Sequence, residues 1–142
     1  MIRTDEIALL DTATRLANVL RPGDIVALSG DLGAGKTSFA RGVLRGLGWA
    51  GEVPSPTFTL VQPYDTVPEV WHVDLYRLGS PADADALGLF ETDAVLLIEW
   101  PERLGGRLPA EALRLRLEGA GQATRTLTWE VPAAWEGRWP PR

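Results

Sequence analysis

The alternation of apolar and polar residues divides the first third of the chain into two helices around one strand. Apolar residues recur every three or four positions over 4–20, which predicts an amphipathic helix with Thr4 as its N-cap. An apolar run at 25–29 has the length of a buried parallel strand, and a glycine-rich turn follows it. Helical spacing resumes over 36–47, so the sequence predicts a strand, a turn and a helix in direct succession.

The remainder of the chain has shorter patterns that are typical of strands. Apolar runs or strict alternations, bounded by glycine and proline, predict strands at 57–61, 70–75, 94–98, 113–117 and 124–131. The last two are predicted to form an antiparallel hairpin around 119–122. A turn is predicted over 63–68 and a short helix over 81–87, with Ser80 as its cap. This order predicts an α/β sandwich with a mixed sheet.

Length and composition indicate one globular domain. We place it at 1–134 of the 142 residues, followed by a tail rich in tryptophan and proline at 135–142. Cysteine is absent and His72 is the only histidine, which excludes disulfides, cysteine–zinc sites, thiol nucleophiles and multi-histidine metal sites. The longest aliphatic run, 94–98, is too short to span a membrane, and residues 1–6 lack the apolar stretch of a signal peptide. We therefore expect a cytoplasmic protein with no membrane contact.

The charge balance argues against nucleic acid as a direct partner. The net charge is −5, from 14 basic and 19 acidic residues, and phosphate neutralisation supplies most of the affinity of nucleic-acid binders. Thirteen of the basic residues are arginine, and one, Lys36, is lysine. A single lysine among so many arginines raises the question of a chemical role, although compositional drift would explain it if Lys36 stood alone.

A phosphate-binding motif surrounds that lysine. Residues 30–37, Gly-Asp-Leu-Gly-Ala-Gly-Lys-Thr, match G-x-x-x-x-G-K-[ST] in full. The glycines allow successive backbone N–H groups to form a nest for anions, and the N-terminus of the following helix adds partial positive charge. We expect Lys36 to reach the β- and γ-phosphates and Thr37 to hold Mg²⁺. The predicted nucleotide contacts of this loop are Asp31, Leu32, Gly33, Ala34, Gly35, Lys36, Thr37 and Ser38.

The motif narrows the expected fold class. We predict a three-layer P-loop NTPase fold, with a mixed, mostly parallel central sheet and a C-terminal β-hairpin. The alternative is a glycine-rich turn between strand and helix that binds no ligand.

Two acidic residues are candidates for the second Mg²⁺ ligand. Glu99 directly follows the apolar run 94–98, and Asp74 follows another predicted strand. Sites in open α/β sheets lie at the carboxyl ends of strands, so either acid could hold the metal or orient the attacking water. The alternative for each is a solvated acid at a strand end. His72 shares a face with Asp74, but no G-x-S-x-G nucleophile elbow is present, so we interpret it as packed or hydrogen-bonded.

Three further features have open interpretations. The polar segment 55–59 is either a switch that senses the γ-phosphate or a plain proline turn. Trp100 either stacks near the nucleotide or packs elsewhere. No internal arginine finger is evident from the sequence, and Arg77 is named as a candidate.

Classes of phosphate-loop protein differ in the residues that they require. A standard GTPase reads guanine with Asn-Lys-x-Asp, which needs a second lysine that this chain lacks. A small-molecule kinase remains an alternative, with Arg103 and Arg107 as the candidate lid residues. A nucleotide-dependent binding module with negligible turnover is a third interpretation.

Four motifs in order resemble one family. They are residues 30–37, Ser-Pro-Thr-Phe-Thr-Leu-Val at 55–61, His-x-Asp-Leu-Tyr-Arg-Leu at 72–78 and Ile-Glu-Trp-Pro-Glu at 98–102. Together they are similar to the bacterial TsaE (YjeE) family, from about residue 4 to about 130. The first motif is shared by many ATPases, whereas the other three in this order are highly specific.

The resemblance implies a compact ATPase that binds ATP and Mg²⁺ and hydrolyses ATP slowly by itself. It implies a role beside the TsaD–TsaB pair, the threonylcarbamoyl transferase subunit and its non-catalytic paralogue, which modifies the adenosine next to the tRNA anticodon. The tRNA would be contacted only indirectly, through that complex. Hydrolysis is thought to reset the complex between turnovers.

The resemblance also implies roles for individual residues. Residues 32–37 would wrap the phosphates, and Thr37 and Glu99 would hold Mg²⁺. Asp74 matches an aspartate that activity needs, and Trp100 matches a tryptophan beside the active site. The predicted catalytic set is therefore Lys36, Asp74 and Glu99.

The chain departs from the family pattern at two positions. Phe58 stands where relatives often have tyrosine, so a role for that hydroxyl is unsupported. The hairpin reads Gly121-Gln122 where relatives often have Gly-Arg, with Arg125 three residues further on. An arginine contact from this hairpin to the nucleotide is therefore doubtful.

Overall fold

The structure is a computed structural model that describes residues 2–54 and 60–141. Within these residues it contains two α-helices and seven β-strands. The helices are α1 (Glu6–Ala17) and α2 (Lys36–Gly46). The strands are β1 (Ile2–Thr4), β2 (Ile25–Gly30), β3 (Val61–Tyr64), β4 (Val70–Asp74), β5 (Val95–Glu99), β6 (Leu113–Glu118) and β7 (Arg125–Glu130).

All seven strands form one mixed sheet in the order β1-β7-β6-β2-β5-β4-β3. The four central strands β6, β2, β5 and β4 are parallel, and antiparallel strands flank them on both sides. The predicted α/β class with a mixed sheet, a parallel centre and a terminal hairpin is confirmed. Because β2, β5 and β4 are neighbours, the residues at their carboxyl ends meet at one edge.

The sheet lies between two layers of helix. Helices α1 and α2 pack on one face, where Leu16, Phe39 and Leu44 are fully buried. The opposite face is covered by short 3-10 helices, among them Pro81–Leu87, the helix that was predicted over 81–87, and Pro101–Arg107. The sheet is therefore buried on both faces near its centre, as expected for near-continuous apolar strands.

Glycine allows the two α-helices to approach closely. A Cβ at Gly42 would lie 2.7 Å from the Cβ of Ala13, and one at Gly46 would lie 2.7 Å from the Cβ of Ala17. These distances are shorter than carbon–carbon contact permits, so side chains at either position would push the helices apart. The close packing fixes α2 and, with it, the glycine-rich turn at its N-terminus.

The predicted start of the first helix is wrong. The helix begins after Asp5, whose carboxylate accepts a hydrogen bond from the Ala8 N–H at 2.8 Å. Thr4 belongs instead to β1, which pairs with β7 in an antiparallel arrangement. Both residues are good N-caps, and the pairing of Thr4 with Arg125 of a distant strand decides between them.

The predicted turn at 63–68 begins too early. Pro63 and Tyr64 belong to β3, which pairs with β4 at the edge of the sheet. Proline is tolerated there because an edge strand has one side without hydrogen-bond partners. Most of the strand predicted over 57–61, and the candidate switch at 55–59, lie outside the described residues.

The C-terminal residues pack against the main core. Trp135 and Trp139 are 1% and 5% exposed, and the ring of Trp139 meets that of Trp129 edge-on at 5.6 Å. Arg138 forms a bidentate ion pair with Asp24, at 2.7 and 3.0 Å. The predicted division after residue 134 falls inside a 3-10 helix, Ala133–Trp135.

We expect Arg138→Met to lower the free energy of unfolding by about 3 kcal/mol, because it leaves the buried Asp24 carboxylate unpaired. Arg107→Met is the matched control, since it breaks an ion pair with Asp85 whose side chains are 38% and 66% exposed. Exposed pairs contribute at most about 1 kcal/mol. Urea unfolding of both variants tests this, and equal losses would refute the structural role of the tail.

Candidate functional site

The glycine-rich turn joins β2 to α2 at the carboxyl edge of the sheet. Gly30, Gly33 and Gly35 have φ values of 141°, 78° and 109°, which favour glycine. A Cβ at Gly30 would also lie 2.3 Å from the Leu117 carbonyl oxygen of β6. A side chain at Gly30 would therefore break the contact between the turn and the neighbouring strand. Residues with positive φ that alternate with residues of right-handed backbone conformation are typical of backbone nests for anions.

Lys36 lies in the cleft above this turn. Its ammonium group donates a hydrogen bond to the Gly30 carbonyl and lies 3.6 Å from the ring centroid of Trp100. The residue is only 4% exposed, and this burial lowers the pKa of Lys36. The carboxylates of Glu99, Glu102, Asp74 and Asp31 act in the opposite direction and raise that pKa.

Glu99 ends β5 and is contacted from two elements. The Thr37 hydroxyl of α2 donates toward its carboxylate oxygens at 3.0 and 3.1 Å. His72 of β4 places its Nε2 2.6 Å from Glu99 Oε2. The glutamate is 3% exposed, so this cluster lies at the bottom of the cleft.

Asp74 ends β4 directly beside Glu99 in the register of the two strands. One carboxylate oxygen accepts a hydrogen bond from the Tyr76 N–H at 3.0 Å. Burial raises the pKa of Asp74, and the nearby Glu99 raises it further, whereas the Tyr76 hydrogen bond lowers it. Asp74 is thus a half-buried carboxylate that lines the cleft.

Trp100 adopts a left-handed backbone with φ 60° and ψ 50°, the one such non-glycine residue in the described parts of the chain. This conformation is strained for a residue with a Cβ. It places the indole over Lys36 and 4.9 Å from the ring of Tyr76. Of the two interpretations of Trp100, the structure therefore has the ring in the cleft.

Together these residues line a cleft of about 370 Å³. The lining residues are Leu32, Gly33, Gly35, Lys36, Thr37, Ser38, Leu60, Asp74, Tyr76, Arg77, Glu99 and Trp100. Two residues of the predicted loop set are absent from this lining, since the side chain of Asp31 is exposed to solvent and that of Ala34 is buried in the core. Sequence reasoning had not assigned Leu60 or Tyr76 to the site.

The other arginines named from the sequence have different positions. Arg77 lines the cleft, and Arg103 lies 5.8 Å from the ring of Tyr76. Arg107 is paired with Asp85, which does not favour a lid role for it. Arg125 of the hairpin donates to the Ala34 carbonyl at 3.2 Å, so it supports the backbone of the loop.

The contact between His72 and Glu99 is the feature of the site that the sequence indicated least clearly. Period-two counting put it on the face of Asp74, and the parallel pairing of β4 with β5 brings that face to Glu99. The sequence does not reveal which strands are neighbours, so the contact could not be predicted.

Residues 2–54 and 60–141 contain no group of three or more histidine, aspartate or glutamate side chains arranged to hold a metal ion. They also contain no helix with the length and apolar character to cross a membrane.

A glycine-rich turn between a parallel strand and a helix, at the carboxyl edge of a mixed sheet, defines a P-loop NTPase fold. Comparison with solved structures supports this fold assignment. The crystal structure of YdiB from Bacillus subtilis superposes with a TM-score of 0.75 and 35% identity, covering 90% of this chain and 82% of that protein.

Sequence comparisons identify the family. The family model described as threonylcarbamoyl adenosine biosynthesis protein TsaE matches residues 3–127. The tRNA threonylcarbamoyladenosine biosynthesis protein TsaE of Haemophilus influenzae is 39% identical over 80% of this chain and 78% of its own length. The protein of the same name from Streptomyces coelicolor is 43% identical over 75% of this chain and 76% of its own length. The chain therefore belongs to the TsaE family, and the resemblance seen in the four motifs is confirmed.

Proposed function

We propose that this protein is a P-loop ATPase that binds and slowly hydrolyses ATP with Mg²⁺ in the cytoplasm. It supports the threonylcarbamoyl transferase complex, the TsaD–TsaB pair, in forming threonylcarbamoyladenosine next to the tRNA anticodon. The observation that carries the proposal is the meeting of Lys36 and Thr37 of the glycine-rich turn with Glu99 in one cleft. Family membership supports the role in tRNA modification.

The phosphates are bound by the glycine-rich turn and Lys36. The turn presents backbone N–H groups at the positive end of α2, and Lys36 supplies the one full positive charge of the turn. Lys36 already lies in the cleft, although its ammonium group now contacts the Gly30 carbonyl. ATP offers stronger, charged acceptors for the same group. The proposed nucleotide-binding set is Asp31, Leu32, Gly33, Ala34, Gly35, Lys36, Thr37, Ser38 and Trp100.

The oxygen ligands present fit Mg²⁺. The Thr37 hydroxyl and the Glu99 carboxylate lie 3.0–3.1 Å apart at the bottom of the cleft, and hard cations prefer such donors. Mg²⁺ uses one or two protein carboxylates together with substrate phosphates and water, so a cluster of three acids is unnecessary. When bound, the ion would neutralise charge that develops on the phosphate oxygens.

The contacts suggest different roles for the two acids. Both oxygens of Glu99 are engaged by Thr37, and one also by His72, which suits a fixed metal ligand. Within the described residues, the Asp74 carboxylate accepts one hydrogen bond, from the Tyr76 N–H, and its pKa is raised, which suits a group that orients and polarises the attacking water. We therefore assign Glu99 to the metal and Asp74 to the water.

The site is incomplete for rapid phosphoryl transfer. Among the described residues, Arg77 is the one arginine that lines the cleft, and no ion pair within those residues orients it toward the phosphates. Slow hydrolysis by the isolated protein follows, with acceleration when a partner completes the site.

Phosphate release from ATP tests the proposal. We expect slow, Mg²⁺-dependent release from the isolated protein, and a rise of at least about tenfold when the purified TsaD–TsaB pair is added. The pair alone, without this protein, is the control for background hydrolysis. No release under either condition despite ATP binding would contradict the proposal and favour the alternatives, a small-molecule kinase or a binding module.

A further inference from the structure

His72 is buried directly beneath the proposed metal site. Its side chain is 0% exposed and does not line the cleft, so it cannot touch the nucleotide. Its Nε2 lies 2.6 Å from Glu99 Oε2. Within the described residues its Nδ1 has no hydrogen-bond partner.

The direction of donation follows from the proposed role of Glu99 as a metal ligand, which requires its carboxylate to be ionised. An ionised carboxylate only accepts hydrogen bonds, so Nε2 carries the proton and donates it to Glu99. Nδ1 is then a buried acceptor without a partner among residues 2–54 and 60–141, which is unfavourable for folding. An apolar side chain would avoid that penalty, so the histidine is explained by its bond to Glu99.

Two side chains from different elements contact the Glu99 carboxylate. Thr37 of α2 lies against both carboxylate oxygens, and His72 of β4 lies against Oε2 alone. Without His72, the carboxylate would be free to rotate away from Thr37. Hydrogen bonds to a metal-ligating carboxylate typically change metal affinity or activity by about 10- to 100-fold.

We propose that His72 is a positioning residue, which holds the Glu99 carboxylate toward Thr37 and thereby preorganises the Mg²⁺ site. The inference rests on the proposed function, because it assigns a role to His72 at that same site. It predicts an effect on Mg²⁺ and little effect on the phosphate contacts, which belong to the glycine-rich turn.

Two substitutions separate the hydrogen bond from the packing. His72→Leu replaces the imidazole with an apolar side chain of similar volume and so removes the donor. His72→Gln can place its amide N–H near the position of Nε2 and so retains donation to Glu99. Binding of Mg²⁺ is measured by calorimetry on protein saturated with a non-hydrolysable ATP analogue, and affinity for the analogue is measured separately without Mg²⁺.

We expect His72→Leu to weaken Mg²⁺ binding by about 10- to 100-fold, with analogue affinity within about threefold of the wild type. His72→Gln should restore Mg²⁺ affinity to within about threefold. Unchanged Mg²⁺ affinity in His72→Leu would overturn the inference, as would equal losses of Mg²⁺ and analogue binding in both variants. If His72→Leu does not fold, His72→Asn replaces it, because its shorter side chain does not reach Glu99.

The outcomes also distinguish this inference from the proposed function. Wild-type protein that binds the analogue but no Mg²⁺ would overturn both. Wild-type protein that binds Mg²⁺ with an affinity indifferent to His72 would overturn the positioning role alone.

Discussion

Lys36→Ala is expected to weaken ATP binding by about 10- to 150-fold, and to reduce the rate of hydrolysis at saturating ATP by a further factor of about 10²–10³. A charge-assisted hydrogen bond contributes about 1.5–3 kcal/mol to binding, and charge that develops in the transition state increases the contribution. No other lysine is present in the chain to take over this role. Calorimetry with ATP and phosphate release measure the two effects.

Arg116→Ala is the matched control for Lys36→Ala. It also removes one positive charge, but Arg116 is exposed on β6, outside the lining of the cleft, and pairs with Glu118. ATP binding and hydrolysis should stay within about twofold, since exposed ion pairs contribute little. Equal ATP affinity in Lys36→Ala and the wild type would contradict the assignment of this cleft to the phosphates.

The local part of the fold was predictable because its signals are close in sequence. Glycines at 30, 33 and 35 supply the positive φ values that the turn needs, and they are followed at once by a helical pattern. The apolar run before Glu99 predicted a buried strand, which the structure has as β5. Such features depend on neighbouring residues alone, so one sequence is enough to find them.

The predictions that were wrong concern features that depend on pairing between distant segments of the chain. Thr4 and Asp5 are both suitable N-caps, and only the pairing of Thr4 with Arg125 removes it from the helix. Pro63 resembles a turn residue until β3 is known to lie at the edge of the sheet. Period-two or helical counting contains no information about which strands are neighbours.

The same limit applies to the candidate site. The phosphate-binding motif predicted Lys36 and Thr37 as site residues. The ends of predicted strands indicated Asp74 and Glu99. Each of these signals is local in the sequence. The strand order brings His72 to Glu99, and the left-handed backbone at Trp100 brings its ring to Lys36. Sequence reasoning thus found the charged residues of the cleft, and missed the contacts that orient them.

Asp74→Asn is expected to reduce hydrolysis by about 10²–10⁴ while ATP affinity stays within about threefold, since the amide cannot act as a base toward water. Asparagine has the same shape, and its carbonyl can still accept the Tyr76 N–H. The variant therefore removes the charge with little change in packing. Phosphate release and calorimetry measure the two quantities, and Asp65→Asn, at an exposed position, is the control.

The stability of Asp74→Asn gives an independent check on this assignment. Burial raises the pKa of Asp74, so ionising it is harder in the folded protein than in the unfolded chain. The ionised group thus lowers the free energy of unfolding above the ordinary aspartate pKa, and this loss disappears as the pH falls below about 4. Asp74→Asn should accordingly be more stable than the wild type at pH 7 and equally stable at acid pH, by urea unfolding. A variant that is less stable at pH 7 would make Asp74 a structural group, whereas one that is more stable but inactive identifies a carboxylate retained for catalysis at the expense of stability.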